Sequence, residues 1–173
     1  MGQQMGLPID HFIASTNVND SVPRYLETGT YDPLPTIQTI SNAMDVGNPS
    51  NFIRIQKIFN NDVVKMKKTL SGYRFTDQET RKALEEIYDL KGYIADPHGA
   101  VGYLGLKEYL AAQGKDQYGV FLETAHPVKF LDSVNKTLKL EVEIPERLKQ
   151  TLSKQKVSVP IKDYNELKAY LLN

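Results

Sequence analysis

The stretch of residues 117–130, QYGVFLETAHPVKF, decides the fold class of this chain. Its apolar run GVFL at residues 119–122 is short and begins at a glycine, which predicts a buried β-strand. The polar residues after it break the run, and Pro127 suits the first turn of a helix, where proline needs no N–H partner. Strand, polar hinge and helix predict a ligand-binding edge, because ligands of open α/β sheets bind beyond the carboxyl ends of the strands. Thr124 places a hydroxyl in this hinge.

A second hinge of the same form is ADPHGAVG at residues 95–102, between a predicted strand and a predicted helix. Asp96 and His98 in this hinge, and His126 in the first one, are therefore further candidates for the ligand-binding edge. The same residues have ordinary structural readings. Asp96 can serve only as a helix N-cap, and Thr124 only as a partner of the local backbone. The two histidines can be hydrogen-bonded packing residues.

The rest of the chain alternates between strand and helix patterns. Strands are predicted at residues 11–15, 92–95, 119–122 and, as an edge strand because of Pro160, at 157–161. Helices are predicted at residues 22–26, with Gly29 ending the helix, and at 52–59, 62–70, 76–90 behind a capping box, 100–112 and from 128 onward. A last helix is predicted after Asp163, which would be its N-cap. Strands that alternate with helices of this length predict an α/β fold, with a mainly parallel sheet and helices on both of its faces.

The composition excludes several classes of function. The 173 residues fit one domain, and Lys plus Arg balance Asp plus Glu at 21 each, which argues against a nucleic-acid or membrane-surface role. The absence of cysteine excludes disulfides, thiolate metal sites and a cysteine nucleophile. No apolar run approaches the roughly 20 residues of a membrane span and no signal peptide is visible, so we expect a cytoplasmic protein. No metal-ligand spacing, nucleophile elbow or glycine-rich phosphate loop occurs, so neither a metal ligand nor a catalytic residue is predicted.

Four segments carry a resemblance to a known family: TNVNDSVPRYLETGTY at residues 16–31, AMDVGNPSNF at 43–52, ADPHGAVG at 95–102 and ETAHPVKF at 123–130. In this order they resemble the C-terminal part of threonine synthases of the bacterial and fungal branch. The resemblance implies a fold-type II enzyme that uses pyridoxal 5'-phosphate and converts O-phospho-L-homoserine and water to L-threonine and phosphate. Residues 1–173 would then be the C-terminal portion of its large, tryptophan synthase beta-like domain, truncated on the N-terminal side.

The resemblance also predicts what this chain contributes to a site. In the family, the Schiff-base lysine and the loop that holds the cofactor phosphate lie upstream of the matching region, so the chain is expected to be inactive by itself. The helical turn at residues 2–5, closed by Gly6 and leading into a strand, fits a start inside a βαβ unit. Thr124 is the one cofactor contact that maps here, with its hydroxyl on the pyridine nitrogen. Two positions depart from the family pattern: Gly99 stands where threonine is usual, and Ile53 where glutamate is.

Two further expectations concern partners. Intact enzymes of this branch are expected to be monomers, whereas this chain is predicted to self-associate through sheet edges that lack a partner strand. The alternative from another functional class is a freestanding binding or interaction module that has kept the fold and lost the chemistry.

Overall fold

The computed structural model describes residues 2–113, 117–152 and 154–172. They form two compact units, which divide between Val142 and Glu143. The described helices are α1 (Ser21–Thr28), α2 (Phe52–Ile58), α3 (Val63–Lys67), α4 (Asp77–Lys91), α5 (Pro97–Gln113), α6 (Leu131–Leu138), α7 (Glu146–Leu152) and α8 (Tyr164–Leu172). Short 3₁₀ turns occur at Gln3–Met5, Asn42–Met44 and Pro127–Phe130.

The first unit is organised around two parallel strands, β1 (Phe12–Thr16) and β2 (Leu70–Arg74). Phe12 pairs with Leu70, and the register continues to the ends of both strands. This pairing confirms the predicted α/β class with a parallel sheet. The sequence assigned Leu70 to the end of a helix, and that assignment is wrong: α3 ends at Lys67, and the backbone beyond it pairs with β1. Tertiary pairing here overrides a helical pattern of apolar residues.

Helices cover both faces of the strands, as predicted. A Cβ at Gly72 of β2 would lie only 2.8 Å from the Cα of Pro23, so α1 packs directly on that face. A Cβ at Gly105 of α5 would collide with the hydroxyl of Ser15, so α5 packs on β1 at close range. Gly72 pairs with Ala14, and Ala14 and Ser15 point to opposite faces because side chains alternate along a strand.

The core of the first unit has two parts. One cluster joins α1, α2, α3 and β2 and contains Tyr25, Leu26, Phe52, Met66 and Leu70. The second lies between α4 and α5 and contains Ala83, Leu84, Ile87, Ala95 and Ala100. The predicted helix at residues 52–59 forms, but only Phe52 of its apolar face is buried, while Ile55 and Ile58 are exposed.

Local capping signals were predicted correctly. Thr76 and Glu79 form the expected reciprocal capping box at the start of α4. Gly29 ends α1 with a φ of 76°, a left-handed conformation that glycine adopts without a steric penalty. Asp163 accepts hydrogen bonds from the N–H groups of Asn165 and Glu166 at the start of α8.

Three of the predicted strands are wrong. Residues 92–95 are a connection, because Gly92 adopts a left-handed φ of 63° and closes α4 through its N–H bond to the Tyr88 carbonyl. Residues 157–161, in the second unit, are unpaired, and Val157 is 89% exposed. Residues 119–122 are also unpaired, although they were predicted to be buried: Val120 is 86% exposed and Leu122 74%. Strand propensity needs a neighbouring strand to form a ladder, and none lies beside these residues in the described chain.

The second unit consists of α7, α8 and the unpaired stretch between them. Helix α7 was not predicted. Across the described chain, no helix combines the length and apolar character needed to cross a membrane.

Candidate functional site

Asp96 caps the N-terminus of α5. Its Oδ1 accepts a hydrogen bond from the N–H of His98 at 2.8 Å and another from His98 Nδ1 at 2.5 Å. Its carbonyl accepts from the N–H of Ala100 at 3.0 Å. The Asp96 side chain is 0% exposed. The capping reading of Asp96 is therefore confirmed, and the cap is a fully buried carboxyl group.

His98 links three parts of the first unit. Its Nε2 accepts a hydrogen bond from the N–H of Ala43 at 3.0 Å, while its Nδ1 faces Asp96 Oδ1. This pairing assigns the proton to Nδ1, because a ring nitrogen that accepts from an amide carries no hydrogen. The ring also packs on Phe130, with a centroid distance of 4.7 Å. His98 thus ties α5 to the turn around Ala43 and to the turn that follows the first hinge.

The turn around Ala43 is itself held by a buried polar network at the carboxyl end of β1. The Nδ2 of Asn17 donates to Asp45 Oδ1 at 2.8 Å and to Thr39 Oγ1 at 2.8 Å. Asn19 accepts from the N–H of Ile37 at 2.8 Å. The network fixes the loop that presents the Ala43 N–H to His98.

The stretch at residues 117–126 runs antiparallel along α5. A Cβ at Gly102 would lie 3.6 Å from the Cβ of Phe121, an ordinary van der Waals distance. One turn nearer the start of α5, the Glu123 carboxyl lies against the backbone of Gly99. The two predicted hinges, each expected at the ligand-binding edge of a sheet, therefore meet. They meet where residues 121–123 pack on α5, because residues 119–122 are not a strand.

Burial alternates along this stretch with a period of two. Phe121, Glu123 and Ala125 are half-buried, whereas Leu122, Thr124 and His126 are exposed. This alternation is that of an extended chain with one face against a support. The Thr124 hydroxyl has no hydrogen-bond partner among the described residues, and its side chain is open to a ligand.

His126 stays on the exposed face and acts locally. Its Nδ1 accepts a hydrogen bond from the N–H of Val128 at 3.2 Å, which caps the turn Pro127–Phe130. The structure thus separates the four predicted candidates. Asp96 and His98 are buried together beneath the hinge, and Thr124 and His126 lie on its outer face.

Glu123 is the residue that sequence reasoning missed. Asp96 Oδ2 and both carboxyl oxygens of Glu123 are buried and accept no hydrogen bond from the described residues. Burial, and then the neighbouring Asp96 carboxylate, raises the pKa of Glu123 to about 8. Burial opposes ionisation of Asp96 as well, but hydrogen bonds from the ring and the backbone N–H of His98 lower the pKa of Asp96. At neutral pH, Asp96 is ionised and Glu123 carries a proton. The sequence offered one signal for Glu123: one hinge has a glycine at residue 99, and the other has an acidic residue directly before Thr124.

Two open clefts lie away from these residues. One, of about 570 Å³, lies between α1 and β2, and the other, of about 450 Å³, lies between the end of β1 and residues 44–51. Neither is lined by Asp96, His98 or Thr124. We therefore assign the candidate site by the chemistry of the hinges. Within residues 2–113, 117–152 and 154–172, no three His, Asp or Glu side chains cluster in a way that could hold a metal ion.

Comparison with known proteins identifies the family that this chain resembles. The model of the C-terminal part of threonine synthases matches residues 99–171. The threonine synthase of Haemophilus influenzae is 41% identical over 173 residues, which are 99% of this chain and 40% of that relative. The crystal structure of the Escherichia coli threonine synthase matches with a TM-score of 0.85 and 36% identity, over 98% of this chain and 39% of that chain.

A third match includes the cofactor in its description. The crystal structure of a PLP-bound threonine synthase from Brucella melitensis matches with a TM-score of 0.76 and 29% identity, over 88% of this chain and 38% of that chain. The chain thus spans about two fifths of the length of the relatives that it matches. The resemblance noted in the sequence is confirmed: over nearly its whole length, the chain is similar to the C-terminal part of threonine synthases.

Proposed function

We propose that this chain supplies the C-terminal part of an enzyme that uses pyridoxal 5'-phosphate to convert O-phospho-L-homoserine and water to L-threonine and phosphate. The observation that carries the proposal is the open Thr124 hydroxyl at the rim of the hinge, in a chain that is similar to threonine synthases over nearly its whole length. Residues 1–173 would be a portion of that enzyme's large domain, and the enzyme would act in the cytoplasm.

The residues of the hinge fit one edge of the cofactor. When bound, pyridoxal phosphate supplies an electron sink for reactions at the carbon atoms of an amino acid. Thr124 would bond the ring nitrogen through its hydroxyl, which is exposed and has no partner in the described chain. A neutral hydroxyl leaves that nitrogen largely unprotonated, whereas a carboxylate would favour its protonation. The covalent lysine and the phosphate-binding loop would come from the remainder of the enzyme.

Because the covalent lysine would lie in the remainder of the enzyme, we expect the isolated chain to have no catalytic activity. Incubation with pyridoxal phosphate followed by borohydride reduction should then label no single lysine stoichiometrically. Phosphate release from O-phospho-L-homoserine should stay at the level of the buffer. Stoichiometric labelling at one lysine together with phosphate release would overturn this part of the proposal.

A chimera tests the function of the chain as part of an enzyme. The region of the Escherichia coli threonine synthase that aligns with this chain is replaced by residues 1–173. We expect the chimera to bind pyridoxal phosphate, to release phosphate from O-phospho-L-homoserine and to form threonine. A variant of the same chimera with Thr124→Val serves as the matched control, because it keeps the shape of residue 124 and removes the hydroxyl.

The outcome also decides between the two functional classes. A folded chimera that binds no cofactor would favour the freestanding binding module, which would use the exposed row at residues 118–122 for contacts. An active chimera excludes that alternative. The reading frame upstream of Met1 provides an independent check, since a frame that continues into an Asn- and Gly-rich loop supports the enzyme.

A further inference from the structure

Glu123 occupies the space that a side chain at position 99 would need. A Cβ built on Gly99 would fall well inside van der Waals contact with the Glu123 carboxyl carbon and both of its oxygens. Gly99 is buried in the first turn of α5. A side chain at residue 99 and the observed position of the Glu123 carboxyl therefore exclude each other.

The environment of this carboxyl contains acids and no described cation. Asp96 faces it from the start of α5, with His98 on the far side of Asp96. Tyr93 faces both acids from the connection after α4, and burial followed by these two charges raises the pKa of Tyr93. No lysine or arginine among the described residues forms an ion pair with Glu123 or Asp96. Burial and the neighbouring Asp96 carboxylate therefore disfavour the ionised form of Glu123 and raise its pKa.

We propose that Glu123 is a positioning residue whose buried carboxyl, seated against the backbone of Gly99, fixes Thr124 on the exposed face of the hinge. Glu123 and Thr124 are neighbours in an extended stretch, so their side chains point to opposite sides. Because the Glu123 carboxyl is held over Gly99, the Thr124 side chain lies on the opposite, exposed face. Ionisation of Glu123 would add a second negative charge near Asp96 in a buried space, which loosens the anchor. The arrangement of residues 96, 99 and 123 does not depend on a cofactor. Only the role of Thr124 in cofactor binding rests on the proposed function.

The first experiment follows the proton by NMR on the full 173-residue chain without cofactor. Carbon-detected titration of the glutamate carboxyl groups should show one resonance that changes near pH 8, and Glu123→Gln should remove it. The amide resonance of Thr124 should shift over the same pH range in the parent chain and stay constant in Glu123→Gln. Glutamine keeps the size and the neutral donor of the protonated acid, so Glu123→Gln should fold like the parent. Glu85→Gln, on the exposed side of α4, is the matched control and should leave both titrations unchanged. The proposal would be overturned if the Glu123 carboxyl titrates at the ordinary pKa of glutamate. It would also be overturned if the Thr124 amide resonance does not shift when Glu123 titrates.

The second experiment tests the exclusion between residues 99 and 123 by thermal unfolding. Gly99→Ala should lower the unfolding temperature of the parent chain by several degrees, and it should have little effect when Glu123 is already alanine. Gly102→Ala is the matched control on the same helix, because its Cβ meets Phe121 at an ordinary distance of 3.6 Å. Gly102→Ala should change the unfolding temperature by the same amount whether residue 123 is glutamate or alanine. If Gly99→Ala has the same effect in both, the two positions are independent and the proposal fails. Neither experiment contains cofactor, so failure here is distinguishable from failure of the proposed function, which the chimera tests.

Discussion

His98 and Phe130 belong to different hinges, and their ring centroids lie 4.7 Å apart. His98 sits in the first turn of α5 and Phe130 ends the turn that leads into α6. This contact, together with the bond from the Ala43 N–H to His98 Nε2, makes the histidine the point where the two hinges and the loop after β1 are joined. The stability of the candidate site should therefore depend on this ring more than on any other side chain of the hinges.

We predict that His98→Ala lowers the free energy of unfolding by about 2–4 kcal/mol, because it leaves the buried Asp96 carboxylate without its partner. Urea unfolding of the parent and the variant measures the difference. His126→Ala is the control, since His126 is exposed and only caps a short turn, so its loss should cost about 1 kcal/mol or less. Equal losses for the two histidines would contradict the joining role of His98.

The capping box at the start of α4 gives a prediction with a pH dependence. Thr76→Ala should lower the stability at neutral pH by about 1 kcal/mol, and Thr76→Ser should retain most of it. Hydrogen bonds from the Thr76 side chain and backbone lower the pKa of Glu79 in the folded chain. A lowered pKa stabilises the fold above the ordinary pKa of glutamate, and this contribution is lost as the pH falls through the folded value. The cost of Thr76→Ala should thus shrink in acid. A cost that is constant down to pH ~2 would show that the Glu79 carboxylate does not take part.

For Thr124 we predict an effect on cofactor affinity in the chimeric enzyme. Thr124→Val leaves the ring nitrogen without its partner at a cost of roughly 1–3 kcal/mol, so affinity should fall by about ten-fold to a hundred-fold. Threonine formation should fall as well. Thr124→Ser keeps the hydroxyl and should retain most of both. Absorbance titration with pyridoxal phosphate and initial rates provide the measurements. If Thr124→Val binds and turns over like the parent chimera, Thr124 is only a hinge residue.

The exposed row Tyr118, Val120 and Leu122 leads to a prediction about association. These side chains leave apolar surface and an unpaired extended backbone open to another chain. We expect the isolated chain to self-associate as its concentration rises, as measured by light scattering. Val120→Asp should reduce the association, whereas Val64→Asp, at another exposed valine on α3, should not. A monomer at every concentration would refute this expectation.

Local signals in the sequence predicted those parts of the fold that local chemistry decides. The capping box at Thr76, the glycine that ends α1 and the cap at Asp163 are confirmed because each needs only residues within a few positions. The parallel pairing was also correct in kind. Its second strand was missed, because Leu70 continues a helical pattern and only the approach of β1 makes it a strand.

The errors at residues 92–95, 119–122 and 157–161 share a cause. A short apolar run carries strand propensity, but the ladder needs a second chain segment at hydrogen-bonding distance, which the run itself cannot specify. The candidate site was likewise predicted only in part. Each hinge was expected at the ligand-binding edge, whereas the role of Glu123 required knowing that α5 brings Gly99 beneath it.

The alternating burial of residues 121–126 has a consequence for changes in chain length. Because successive side chains face opposite sides, removing or adding one residue between Gly119 and Glu123 would exchange the two faces of everything that follows, up to the proline at the start of the next turn. The acid would then face solvent and the hydroxyl would face α5. Substitutions on the outer face leave this order intact, so the segment accepts changes of residue type but not of length.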